Sequence, residues 1–169
     1  MIKKIALSLL CIGALSSSVQ ADEGTTGFIG LDLGYSQIND TFGVDDNDLD
    51  FGIKLGAQDN DWRTTFSYIY FDSGDYDYSQ STVDLSVDYF ILGSGNTVKP
   101  YIGGVIGYTW LDDDHSATDD SGMVYGGEAG IVIDITESID LDLGYRYSWL
   151  DLDTIDDSHR GYIGINYKF

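Results

Sequence analysis

Two short stretches of the chain bring a base, a hydroxyl and carboxylates together. His115 follows Asp112, Asp113 and Asp114 and precedes Ser116; His159 follows Asp156, Asp157 and Ser158 and precedes Arg160. Acyl transfer needs such a set: a hydroxyl nucleophile, an imidazole to take its proton and a carboxylate to orient the imidazole. Neighbours in an acidic surface segment do not make a triad, however, and chance surface histidines account for both. The chain is therefore expected not to be an enzyme. Cation binding is the second candidate chemistry, because carboxylates are hard oxygen ligands. "DNDLDFG" from Asp46 resembles the start of a calcium loop, but its glycine comes seventh instead of sixth and Ala57 stands where the bidentate glutamate belongs. Asp112, Asp113 and Asp114 remain as weak metal candidates, and no cofactor is expected.

The remaining charges are more informative. Lys and Arg number 8 against 29 Asp and Glu, a net charge of -21. Phosphate recognition needs clustered cations, so nucleic acid is excluded as a partner. Residues 1–21, "MIKKIALSLLCIGALSSSVQA", carry two lysines, an apolar run and small residues before Ala21. That is the pattern of a secretory signal peptide, with residues 22–169 as the mature domain. The apolar run is too short for a membrane-spanning helix, which takes about 20 residues. Cys11 lies inside that run after bulky Leu10, which argues against lipidation. The mature chain then has no thiol for disulfides, thiolate metal sites or nucleophilic catalysis.

The elements that must position the charges are strands. Period-2 alternation recurs over roughly 27–37, 48–58, 62–72, 80–92, 99–111, 122–134, 139–150 and 159–169. Short connections at 59–61, 93–98 and 135–138 alternate with longer acidic ones around 38–47, 73–79, 112–121 and 151–158. The expectation is one all-β domain, an eight-stranded antiparallel up-and-down transmembrane β-barrel.

Which phase meets lipid follows from composition. One phase is bulky: Leu49, Phe51, Ile53 and Leu55; Val83, Leu85, Val87 and Tyr89; Ile139, Leu141, Leu143, Tyr145, Tyr147 and Trp149. The other mixes charge with glycine: Asp50, Gly52, Lys54 and Gly56; Asp84, Ser86 and Asp88; Asp140, Asp142, Gly144, Arg146 and Ser148; Tyr162, Gly164, Asn166 and Lys168. A water-facing surface has no need of glycine, whereas a crowded eight-stranded interior needs small residues beside long ones. The charged phase is therefore assigned to the lumen and the bulky phase to lipid. Trp62, Tyr68, Tyr70, Tyr89, Tyr108, Trp110, Tyr167 and Phe169 join the strand-seven aromatics toward strand ends, where interfacial girdles lie.

On this phase the cations Lys54, Arg63, Arg146 and Lys168, joined by Arg160, meet Asp32, Asp50, Asp84, Asp88, Glu128, Asp140 and Asp142. Isolated buried charges are too costly to stand alone, so a lumen of ion pairs is expected, with Lys99 near a turn. Sixteen further carboxylates, from Asp40 to Asp157, fall in the longer connections and form an acidic rim. Divalent cations bridging that rim to lipopolysaccharide phosphates are a further expectation.

The chain closes with "GYIGINYKF", in which Ile163, Ile165, Tyr167 and Phe169 take the lipid phase. This resembles the C-terminal signature of bacterial outer-membrane β-barrels, which implies recognition by the barrel-assembly machinery and closure of the last strand on the first. The mature chain is similar to the small eight-stranded barrels that include the OmpA transmembrane domain and OmpX, and "PYIGGVIGYTW" from Pro100 resembles a glycine-alternating strand of that family. The resemblance implies a Gram-negative outer-membrane location, a monomer, a rim facing the cell exterior and no peptidoglycan-binding domain after Phe169. It implies a structural or surface-interaction role such as membrane integrity or adhesion, with a narrow channel gated by lumen ion pairs as the alternative. A lipid-modifying enzyme ranks third, since the His-x-Ser order of lipid A deacylase barrels is absent.

Overall fold

The computed structural model describes residues 24–40, 45–73, 78–92, 96–113, 120–152 and 155–169. They form β1 (Thr26–Asp40), β2 (Asp45–Gln58), β3 (Trp62–Ser73), β4 (Tyr78–Phe90), β5 (Val98–Asp113), β6 (Asp120–Asp134), β7 (Ile139–Leu150) and β8 (Ile155–Lys168). Each strand pairs antiparallel with its sequence neighbours, and β1 pairs with β8, so the sheet closes in the order β1 to β8. Closure leaves no unpaired edge, the condition for a sheet to cross a bilayer.

The two phases separate as their composition demands. Ile29, Leu31, Leu33, Leu49, Phe51, Ile53, Ile163 and Ile165 point outward, while Asp32, Asp50, Lys54, Asp84, Asp88, Asp140, Asp142, Arg146 and Lys168 are buried inside. Glycine supplies the room. Gly103 lies between Asp88 and Glu128 in the ladder, and a Cβ there would overlap the Asp88 carboxylate. Gly52 faces Asp32 in the same way.

The turns at one end are tight. Asp59 Oδ1 accepts hydrogen bonds from the backbone of Asp61 (2.8 Å) and Trp62 (2.7 Å), an Asx turn joining β2 to β3. At the other end the strands run further than alternation alone indicates. β1 reaches Asp40, β2 begins at Asp45 and β8 begins at Ile155, with Asn39 opposite both Asp45 and Asp157. Acidic stretches around 38–47, 112–121 and 151–158, expected to be loops, are therefore partly strand. Aspartate disfavours strand by propensity, but a continuing ladder on both sides overrides it.

Candidate functional site

The lumen is built by register. Along one row of direct partners run Arg63, Asp88, Gly103, Glu128, Arg146, Arg160 and Ser36, one from each of β3 to β8 and β1. All point inward because each strand presents the same parity there, and Gly103 gives the flanking acids space.

Arg146 bridges two acids: its Nε and Nη2 reach Glu128 Oε2 at 2.8 and 2.7 Å, and its Nη1 reaches Asp84 Oδ2 at 2.6 Å. Arg63 donates from Nε to Asp88 Oδ2 (2.9 Å) and from Nη1 to Asp142 Oδ2 (3.1 Å). Arg160 donates from Nε to Asp50 Oδ1 (2.9 Å) and from Nη2 to Asp32, while Ser36 Oγ donates to Asp50 Oδ2 (2.6 Å). Lys54 Nζ sits 3.1 Å from both Asp32 and Asp142. The planar guanidinium suits these sites, since its fixed fork of donors spans two acceptors at once.

Two phenols complete the centre. Tyr101 donates to Asp142 Oδ1 at 3.0 Å and lies 2.7 Å from the Tyr162 hydroxyl. Their rings take cations on their faces, Lys54 over Tyr162 at 4.1 Å and Arg63 over Tyr101 at 4.3 Å. Ring quadrupoles attract cations at such distances, more strongly when water is excluded. In this belt six carboxylates face four cations, an acidic surplus of two.

The expected lumen residues are thus all inside, but they form two groups. Asp32, Asp50, Lys54, Arg63, Asp84, Asp88, Glu128, Asp142 and Arg146 belong to the central belt. Asp140 and Lys168 belong to a separate cluster at the tight-turn end. There Lys168 Nζ reaches Asp134 Oδ1 (2.6 Å) and Asp140 Oδ2 (3.7 Å), Lys99 reaches Asp134 Oδ2 (2.8 Å), and Asn166 donates to Asp140 Oδ1 (2.7 Å). Lys99, expected near a turn, is the second residue of β5 and is buried inside the barrel. Asp134 and Tyr101 had no assigned role in the sequence. Their signal is parity: Asp134 continues the Glu128 phase of β6 and Tyr101 shares the phase of Lys99.

Above the belt the lumen turns neutral and then apolar. Gln80 Nε2 donates to Thr109 Oγ1 (2.9 Å), which pairs with Thr82 Oγ1 (2.9 Å). Phe71, Leu111, Val124 and Leu150 pack together beyond them. A cavity of about 50 Å³ lies between, lined by Ser36, Gln80, Asp84, Arg146, Ser148 and Arg160 among others.

The remaining candidates disperse. Ser158 lines that interior cavity, whereas His159 stands on the outer face beside Tyr145 and Tyr147, so the barrel wall divides the base from the hydroxyl. His115, Ser116 and Asp114 lie outside the described residues; Asp112 and Asp113 end β5. Ile163, Ile165, Tyr167 and Phe169 all point outward, and the Phe169 amide bonds the Gly27 carbonyl (2.9 Å) where β8 meets β1.

The fold is shared with known proteins. Residues 7–169 match the family described as outer membrane protein beta-barrel domain. Neisserial surface protein A is similar at 22% identity over 87% of this chain and 100% of that one, with a TM-score of 0.76. Outer membrane protein H of Pseudomonas aeruginosa is similar at 24% identity, 85% and 99% coverage and TM-score 0.66. Ail, the attachment invasion locus protein of Yersinia pestis, is similar at 17% identity, 88% and 100% coverage and TM-score 0.55. No curated protein matches the sequence. The chain belongs to the outer-membrane β-barrel family and is a protein of the Gram-negative outer membrane.

Proposed function

We propose that this barrel is a rigid, non-enzymatic, monomeric platform that presents an acidic rim at the cell surface and serves in membrane integrity or adhesion. One observation carries the reading: the lumen is cross-braced by charges from seven strands, while the chain's acidic surplus sits on strand extensions beyond the apolar belt. A braced interior favours a stiff scaffold, and specificity on such scaffolds resides in the connecting segments. Ail, with a similar fold, is by name an attachment protein. The C-terminal residues Ile163, Ile165, Tyr167 and Phe169 serve the barrel-assembly machinery. Outer-membrane lipid and lipopolysaccharide surround the barrel, with divalent cations joining rim carboxylates to lipid phosphates.

The test is a deletion strain complemented with wild type or with Asp45, Asp46, Asp48, Asp156 and Asp157 changed to Asn. The expected result is loss of surface adhesion, or sensitisation to detergent and chelator, in the deletion and the variant alike. Wild-type behaviour in both respects, with the chain absent, overturns the proposal.

A second reading, a narrow cation channel, has its own support. Asp84 Oδ1, Asp88 Oδ1 and Arg160 Nη1 are buried without a hydrogen-bond partner, and Asp84 and Arg160 line the cavity. Such atoms need water, and water with a carboxylate surplus favours cation passage. Planar-bilayer recordings distinguish the two: the platform gives no steps with wild type, whereas a gated channel gives steps that Arg146→Ala enlarges.

A further inference from the structure

Four phenols on the outer face repeat one geometry. In each hairpin that ends in an acidic connection, a tyrosine on the first strand reaches diagonally to a polar residue two positions past its direct partner on the second. Tyr35 donates to Asn47 Oδ1 (2.6 Å), Tyr68 pairs with Ser81 Oγ (3.1 Å), Tyr108 with Ser121 Oγ (3.0 Å) and Tyr145 with His159 Nδ1 (2.5 Å). An apolar ring with a hydrogen-bonded hydroxyl suits the level where hydrocarbon gives way to headgroups. The four clasps mark that level around the barrel.

The fourth clasp departs from the others twice. The direct partners of Tyr35, Tyr68 and Tyr108 on the second strands are Leu49, Val83 and Met123, but that of Tyr145 is Gly161. Gly161 also pairs with Tyr35, so a glycine separates two outward tyrosines. No interior crowding requires it, because a Cβ there would meet nothing within 4 Å. A glycine in a strand costs stability and marks a place where something approaches closely. The second departure is the partner itself: His159 Nε2 lies 3.5 Å from Asp157 Oδ1, and its ring packs 4.8 Å from that of Tyr147.

The result is a slot with phenol walls, a glycine floor and an imidazole and carboxylate at its upper edge. Cations are missing from it: among the described residues, every Lys and Arg is buried in the lumen. That disfavours a phosphate. Aromatic walls with neutral and acidic hydrogen-bonding groups suit a polyol ring, and Leu33, Leu143 and Ile163 below offer an apolar surface for acyl chains. Gly104 and Gly127, also outward, are adjacent in the ladder between Val87 and Tyr147, so they have a phenol on one flank and an apolar side chain on the other, not a phenol on both. We infer that Tyr35, Gly161, Tyr145, His159 and Asp157 hold the sugar ring of an outer-leaflet glycolipid. This site is on the lipid side and is independent of the surface role of the rim.

The full mature chain is folded into vesicles of phosphatidylethanolamine with a hexa-acylated glucosamine-disaccharide lipid, in phosphorylated and phosphate-free forms. After mild detergent extraction, native mass spectrometry counts retained lipid per barrel. The expected result is one glycolipid per barrel with both forms, retention at least tenfold lower in Gly161→Leu, and no change in Met123→Leu at the equivalent place in another hairpin. Heat-modifiable gel mobility establishes that both variants fold. The inference is overturned if Gly161→Leu retains glycolipid like wild type, if Met123→Leu loses it equally, if only the phosphorylated form is held, or if phosphatidylethanolamine is retained to the same extent.

Discussion

The lumen holds two charged groups that differ in setting more than in chemistry. The central belt is deeply buried and arginine-rich, and its cations bridge acids from different strands. The cluster at the tight-turn end is balanced, with Lys99 and Lys168 facing Asp134 and Asp140, and the Asp134 side chain is 27% exposed. Water reaches the shared acceptor of the second group, Asp134, more readily than the acids of the first. Removing one member of a desolvated network leaves a charge that nothing solvates, whereas a wet pair contributes little beyond its geometry.

Arg146→Ala should have the largest effect, because it strands Asp84 and Glu128 together. The expected loss is ~3–5 kcal/mol, read from urea unfolding in micelles. Equal stability of this variant and wild type would remove the distinction between the two groups. Replacing a whole pair should hurt less than breaking it: Arg63→Met with Asp88→Met should be at least ~1 kcal/mol more stable than Arg63→Ala alone, since Asp142 keeps Lys54 and Tyr101. Lys99→Ala, which leaves the partly exposed Asp134 with Lys168, should cost less, ~1–2 kcal/mol. Its effect should shrink in molar salt while that of Arg146→Ala persists. Smallest of all, Tyr108→Phe should cost at most ~0.5–1 kcal/mol, because the lost hydrogen bond lies where water is at hand.

The same contrast explains what could be read in advance. In β2 and β7 charge and glycine occupy one phase and bulky residues the other, so the inward face was legible from the composition of the two phases. In β5 glycine falls on both faces, Gly103 and Gly107 inward and Gly104 outward, and composition does not separate them. The inward orientation of Lys99 and of Tyr101 went unassigned there for that reason. Strand ends escaped as well, because Asp40, Asp45 and Asp46 disfavour strand and the ladder carries them into it. Division of the lumen into two clusters was beyond the sequence, since the shear of the closed barrel sets which strand faces which. Arg160 meets Asp32 across 128 residues, a pairing without local trace.

That long separation has a kinetic consequence. Arg160 lies on the last strand and its acceptors, Asp32 and Asp50, on the first two, so their contact forms only when β8 docks on β1. Loop closure over more than a hundred residues must precede any gain from it. Interactions absent from the transition state act on escape from the native state, not on its formation. Arg160 is thereby a latch: its loss should leave the insertion rate nearly unchanged and hasten unfolding, so that the belt sets how long a finished barrel lasts.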